Sequence, residues 1–345
     1  MGRHKQYLGE IVDLFNTVWG GMSSAYWSWK HIDNPLWAQS EPELALCFEN
    51  GRLVGANGFM PVVLRYNRQD IRAMQSCDTM VHPDYRGRHI FSRMLICAEH
   101  RLCDLGYVVL YGFPNDNSLP GFLHQGWQVV ESVRQWGAAT SVMALVRRVS
   151  REGGAARRPL PCSDGSSETE SIRTDSRLTL RWHRVVPVCI SDADKLLSTD
   201  RIELARWPGY LAWRLDGNPA SSYRYLTATS GGELLGYMVL GLRPRGNAIV
   251  DHRVRQGDSA TLRTLGVEAR RWLGKNAVGL TRVWGSGPEV SQILGKSPRL
   301  HSGSLLYGRR VRPIPLMVRP LRASVPVAYL DPGVWSVTPL YADTF

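Results

Sequence analysis

The sequence predicts a mixed α/β protein built as two related domains in tandem, and three observations carry that reading. Apolar periodicity alternates between helix and strand in an order that gives a central sheet flanked by helices. Three segments recur, in the same order, in both halves of the chain. Between Arg147 and Arg177 a stretch rich in Gly, Ser, Pro and charge, with almost no large apolar residue, has linker composition. The division that follows is a front domain over 1–146, a linker over 147–177, and a rear domain with an extended tail over 178–345. A chain of 345 residues is long enough for two such cores.

Apolar residues at helical spacing over 8–19 (Leu8, Ile11, Val12, Phe15, Val18, Trp19) predict an opening amphipathic helix. Residues 44–48 and 53–63 read as a hairpin turned at Asn50-Gly51. A strand over 74–81 ends before Pro83, and a helix over 90–105 is closed by Gly106. A strand over 107–112, a short helix over 118–125 and a strand from Trp127 onward complete the front domain. The basic, proline-punctuated tail RRVRPIPLMVRPLRASVPV is expected to run as an extended strand across the domains, and the final VWSVTPLYADTF as one more strand.

The repeats give this order a partner. AYWSWKHIDNP (25–35) matches GYLAWRLDGNP (209–219), with Lys30 opposite Arg214. ENGRLVGANGF (49–59) matches SGGELLGYMVL (230–240). SCDTMV (76–81) matches IVDHRV (249–254), which aligns Asp78 with Asp251. A duplicated domain explains all three.

Composition narrows the class. No apolar run approaches the ~18 residues of a membrane span, and MGRHKQYLGE lacks the apolar core of a signal peptide, so a cytoplasmic enzyme or binding protein is expected. The cysteines Cys47, Cys77, Cys97, Cys103, Cys162 and Cys189 include no C-x-x-C pair, which argues for reduced thiols rather than zinc or a disulfide framework. Only five of the 42 basic residues are lysines, and the formal net charge is +12. Guanidinium forks suit phosphate and carboxylate partners. A genomic base composition favouring arginine codons accounts for the bias equally well.

Chemistry concentrates in MVHPDYRGRHIF (80–91). A strand ending at His82-Pro83, a turn carrying Arg86 and Arg88, and a helix starting near His89 aim unpaired N–H groups and a helix dipole at one point, a place for phosphate. A solvated basic turn is the alternative.

Together with YGFPNDNSLPGFLHQGW (111–127), this turn resembles the GNAT superfamily of acyl-CoA-dependent N-acyltransferases. In that family the turn reads Arg or Gln, two residues, Gly, one residue, then Gly or Ala. Arg86, Gly87, Arg88, His89, Ile90 and Phe91 fill it here, so both small positions are altered. Asn115, Ser118, Phe122, Gly126 and Trp127 fill the second motif. The resemblance covers most of the front domain, and the rear domain looks like a degenerate copy. It implies acyl-CoA as co-substrate and no metal, with the backbone of 86–91 on the pyrophosphate, Met80 and Val81 paired with the pantetheine arm, and Asn115 and Ser118 touching the cofactor where the sheet splays.

The resemblance also implies direct attack by a primary amine, without an acyl-enzyme. Phe122 stands where the family often has an acidic tyrosine. His124 is a candidate replacement, or a surface helix cap. Asp78 is the candidate base if it faces the cleft, or a structural carboxylate; His183 is a further candidate base, or an ordinary surface histidine. In the rear copy Asp258 would repel pyrophosphate, so no second acyl-CoA is expected there. The rear domain is expected to shape the acceptor pocket, with Trp182, Trp207, Tyr210, Trp213, Tyr223 and Tyr225 as a stacking platform or as core.

A weaker resemblance to glycopeptide-antibiotic aminosugar N-acyltransferases suggests an aminosugar acceptor and a monomeric or weakly dimeric enzyme. The rivals are an aminoacyl-tRNA-dependent transferase of the peptidoglycan type and a non-catalytic nucleic-acid-binding protein.

Overall fold

The computed structural model describes residues 4–37, 43–139, 170–175, 178–243, 246–276, 280–285, 287–295, 299–301, 313–323 and 325–342. Cys162, most of the expected linker (147–169 and 176–177) and residues 309–312 of the tail lie outside them. No described helix is long and apolar enough to cross a membrane.

The front half opens with helix α1 (Leu8–Val18), followed by α2 (Ser24–Trp27), which widens into a π-helical turn at Ser28–Ile32. Strands β1 (Leu44–Glu49) and β2 (Arg52–Tyr66) form the expected hairpin, with Asn50 and Gly51 at φ 51° and 77°. Strand β3 (Gln69–Val81) starts earlier than expected, because Asn67 and Arg68 at φ 50° and 62° make a second tight hairpin with no glycine to announce it. Helix α3 (Ile90–Asp104), strand β4 (Val109–Gly112), helix α4 (Leu119–His124) and strand β5 (Gln128–Val133) follow in the expected order.

The rear half repeats the plan. Strand β6 (Gln135–Ala139) precedes the linker, and β7 (Glu170–Asp175) lies in what composition marks as linker. Then come β8 (Leu178–His183), the short β9 (Glu203–Leu204), and helix α5 (Pro208–Leu211), which also widens into a π-helical turn, Ala212–Asp216. Strands β10 (Ser222–Ser230), β11 (Glu233–Arg243) and β12 (Gly246–Val254), helix α6 (Ser259–Asn276), β13 (Leu280–Trp284), helix α7 (Gly287–Leu294), β14 (Arg299–His301) and β15 (Ile314–Pro320) complete the order.

Two sheets result, ordered β1-β2-β3-β4-β15-β5 and β14-β6-β13-β12-β11-β10-β8-β7, with β9 beside β2. The halves of the chain therefore exchange strands. β6, from the front half, sits between β13 and β14 of the rear sheet, and β15, from the tail, sits between β4 and β5 of the front sheet. The tail is thus a strand, but an interior one: Leu316, Met317 and Val318 are fully buried, while Pro320 stands at its end, where no ladder bond is lost. A division by chain position is not the division by sheet.

The repeat AYWSWKHIDNP/GYLAWRLDGNP forms the contact between the halves. Trp29 Nε1 donates to the Trp213 carbonyl (2.7 Å) and Trp213 Nε1 donates to the Trp29 carbonyl (2.8 Å), a reciprocal pair about a pseudo-twofold axis. The final segment is not the strand expected. Pro339, without an N–H, opens a short 3-10 turn at Pro339–Tyr341, and Trp335, Leu340 and Tyr341 plug the inter-domain core separately. The rear aromatics are core too: Tyr210, Tyr223 and Tyr225 belong to that cluster, and Trp182 packs on Trp272 in the other.

Buried charge also organises the rear half. Asp251 accepts from Arg206 Nε and Nη2 (2.7 and 3.0 Å), Tyr237 Oη (2.6 Å) and Thr338 Oγ1 (2.8 Å). Burial raises its pKa, but Arg206 and Arg253 outweigh it and hold the carboxyl well below the usual range; Glu289, facing His252, is pulled down to about 2. Unfolded, such carboxylates titrate near ~4, so this stabilisation is complete above about pH 5 and is lost as pH falls toward the folded values. Urea midpoints are expected to be level from pH 7 to about 5 and to fall steadily below about 4.5.

Candidate active site

Strand β3 pairs with β2 up to Gly55–Val81, but with β4 only from Ala73–Val109 to Ser76–Gly112. Beyond Ser76 the two parallel strands part, and a cavity of about 990 Å3 opens between them. From Cys77 to Val81 the β4-facing edge of β3 is unpaired, which is what an added strand needs.

At the head of this gap β3 bulges. The register slips so that Asn57 faces both Asp78 and Thr79, and Asp78 takes φ 48°, a left-handed conformation uncommon outside glycine and most tolerated by Asn and Asp. Lys30 Nζ and His31 Nε2 pin it, each 2.7 Å from Oδ2. Both come from the π-helical turn after α2 and are essentially fully buried. The Trp27 ring lies against His31 at 4.2 Å between centroids, and His31 Cε1 occupies the space a side chain at Gly58 would need, 2.6 Å from its Cβ position. Burial raises the Asp78 pKa, but the charges of Lys30 and His31 prevail and hold it well below the usual carboxylate range. His31, Cys77 and Asp78 offer ligand atoms within 4.8 Å of one another. The Lys30 ammonium already stands where a cation would meet Asp78, and would repel a second one.

At the other end of the cavity lies the start of α3. Its N-cap, His89 at φ 56°, makes no side-chain capping bond, Gly87 at φ 78° has open space where a Cβ would be, and Arg86 lines the cavity. The first turn of α3 therefore presents N–H groups and a dipole with no side-chain cap. The matching helix, α6, differs: Asp258 accepts from Thr261 N (3.0 Å) and Thr261 Oγ1 (2.6 Å), so a carboxylate of the chain already sits on its N-terminus. In the rear half the strands also part, after Ala248–Arg282, but His252 Nε2 and Glu289 Oε1 meet at 2.8 Å and tie β12 to α7 across the gap.

The two altered small positions find their reasons. His89 is the exposed cap itself. The Phe91 ring leans over Gly121, 2.6 Å from its Cβ position, and meets Phe122 edge-on at 5.1 Å, so Gly121 supplies the room that a small residue at 91 would otherwise leave.

Of the residues expected on the cofactor, Met80, Val81, Arg86, Phe91, Asn115 and Ser118 line the cavity. Arg88 turns away to Glu49 (3.0 Å) and lies over Tyr85. Ile90 is buried beneath the turn. Asp78 lines the cavity, but the other two candidates, the histidines His124 and His183, do not. His124 is exposed at the end of α4, and His183 is in the rear sheet, bonded to Thr227 Oγ1 at 2.9 Å. Among the described residues the rear half contributes nothing to this cavity, contrary to the expectation that it shapes the acceptor pocket: the lining residues come from 15–122. Lys30 and His31 were not singled out from sequence as site residues. The signal available was two adjacent basic residues inside an aromatic helix.

A family model described as an acetyltransferase (GNAT) domain matches residues 4–130. Residues 4–130 form a GNAT domain. That domain supports an N-acyltransferase, and the family takes acyl-CoA as co-substrate and acts on small-molecule amines. No curated protein matches the chain. Among solved structures, it is similar to a probable N-acyltransferase from Enterococcus faecalis V583 (TM-score 0.61, 12% identity, 93% of this chain and 71% of that one). It is also similar to a GCN5-related N-acetyltransferase from Anabaena variabilis (0.58, 11%, 92% and 71%). A third is a tandem GNAT protein from the clavulanic acid biosynthesis pathway (0.53, 14%, 93% and 96%). At these identities the likeness shows the fold, and it extends over both halves. The rear half, with its capped helix and tied strands, is the GNAT plan with its cleft closed.

Proposed function

We propose that the GNAT domain of the front half binds acyl-CoA and acylates a small-molecule amine, and that the rear half is a degenerate copy that binds no second acyl-CoA. The observation that carries this is one continuous cavity running from the uncapped start of α3 and Arg86 to Asp78. Arg86 and the N–H groups of 87–91 hold the pyrophosphate. The open edge of β3 at Met80 and Val81 takes the pantetheine arm, and Asn115 and Ser118 border it. Acyl-CoA supplies the thioester: an amide bond forms, the C–S bond breaks, and the amine proton must leave.

Asp78 is the residue at that end. Lys30 and His31 both bond Oδ2, so Oδ1 is the oxygen offered to the acceptor. A carboxylate held this acidic is a poor sink for a proton. Asp78 therefore orients the amine, and the proton that the amine loses leaves with the CoA thiolate, which departs as the thiol. Phe122 has no proton to give, and His124 and His183 are too far from the cavity to serve.

The sequence resemblance suggests an aminosugar of a natural product as the acceptor, and the likeness to the tandem GNAT protein from the clavulanic acid biosynthesis pathway is in keeping with a natural-product amine. An aminoacyl-tRNA-dependent transferase is the rival. Titration calorimetry with an acyl-CoA series separates them: micromolar binding is expected, weakened on the order of tenfold in Arg86→Ala. Binding of no acyl-CoA at all would sink the proposal.

A further inference from the structure

We infer that the acceptor is an amine carried on an apolar, aromatic or aliphatic body, with no second charge, seated against Phe15, Val18 and Trp19. The inference rests on the acyl-transfer reading and sharpens it.

The cavity passes through the sheet. One face of the front sheet packs on α3, through Val54, Phe59, Met74, Ile90 and Met94; the other packs on α1 and α2, through Ile11, Leu14, Trp27, Leu53, Ala56 and Met80. Residues from both faces line the same cavity: Arg86, Phe91, Ser118 and Phe122 on the α3 side, and Phe15, Val18 and Trp19 on the α1 side. The pyrophosphate end is fixed by Arg86 and the start of α3. The acceptor therefore approaches from under α1, where Asp78, bonded to the turn after α2, is the nearest polar group.

That side is built for an apolar occupant. α1 has one apolar face at helical spacing, yet only Ile11 and Leu14 are buried by the fold. Phe15 and Val18 are half-buried, and Trp19 remains 51% exposed at the mouth. The arch behind Trp19 is fixed rather than loose: Asn16 Oδ1 accepts from Met22 N (2.9 Å) and Asn16 Nδ2 donates to the Met22 carbonyl (3.1 Å), spanning the two positive-φ glycines Gly20 and Gly21. An exposed indole on a fixed arch, which the core does not use, supplies an apolar wall at the mouth.

The polar groups nearby are already engaged. Ser76 Oγ and Thr79 Oγ1 both donate to Asn57 Oδ1, at 3.3 and 2.8 Å. Among the described residues, Asp78 and Arg86 are the only charged ones lining the cavity, and Arg86 belongs to the pyrophosphate end. The Asp78 charge is balanced by Lys30, so nothing remains to compensate a polyamine, and few groups remain to satisfy the hydroxyls of a sugar.

The test is a matrix of short- and long-chain acyl-CoA donors against four amines: phenethylamine, hexylamine, glucosamine and spermidine. For the protein as it stands, kcat/KM is expected to be at least about a hundredfold higher for the two apolar monoamines than for glucosamine or spermidine. Trp19→Ala, a half-exposed position that leaves the fold intact, is expected to raise KM for phenethylamine on the order of tenfold and to leave acyl-CoA binding by calorimetry unchanged. Equal or better turnover of glucosamine or spermidine overturns the inference. So does a Trp19→Ala effect that tracks acyl-chain length instead of the amine, which would assign this wall to the donor. Absence of acyl-CoA binding would overturn the acyl-transfer reading itself, a different outcome from bound acyl-CoA with the wrong amine preference.

Discussion

Asp78→Leu is expected to abolish turnover and to destabilise the protein by about 3–5 kcal/mol, because it leaves the Lys30 ammonium buried without its counter-charge. Activity and stability are separable here. In the double variant Lys30→Met/Asp78→Leu the buried ammonium is removed together with its counter-charge, and most of the lost stability is expected to return while turnover does not. Urea midpoints with single-turnover rates on the same preparations decide it. If the double variant regained turnover as well as stability, Asp78 would be a structural carboxylate, as its counterpart Asp251 is.

Truncation after residue 313 is expected to be more severe, although it removes nothing that lines the cavity. It deletes β15, leaving β4 and β5 unpaired on facing edges and taking Leu316, Met317 and Val318 out of the core. Burial of each such side chain is worth roughly 1.5–3 kcal/mol, and with Trp335, Leu340 and Tyr341 removed as well the loss is comparable to the whole ~5–15 kcal/mol that holds an ordinary domain together. The shortened chain is expected to show no cooperative melt and to elute as aggregate. A cooperative transition within a few degrees of the full-length protein would refute this account of the exchanged strand.

The sequence made part of this legible because some signals are local. Asn50-Gly51 fixes a hairpin by turn chemistry, Gly106 closes α3, and the Arg86–Gly87 turn needs only its own backbone. The repeats disclosed the duplication because Trp, Asn and Pro kept their places, and Asp78 stood out because it sits on the strand beside the expected pantetheine channel. What remained hidden depends on pairing between distant segments. Nothing local in IPLMVRP (314–320) says that it lies between β4 and β5, since a strand buried on both sides reads the same in either sheet. Nor does apolar spacing distinguish Ile11 and Leu14, which face the core, from Phe15, Val18 and Trp19, which face a cavity. Lys30 and His31 escaped for a similar reason: a buried charge is recognisable only once its counter-charge is placed beside it.

The strand exchange also sets a timetable. On the ribosome the front half emerges first, with the segments proposed to hold acyl-CoA all made by residue 133. Its sheet nevertheless keeps a gap between β4 and β5 until β15 is synthesised some 180 residues later. At ~5–20 residues per second that gap stays open for roughly ten to forty seconds. A nascent chain stalled anywhere in the rear half would carry every residue of the cleft on a sheet that cannot close.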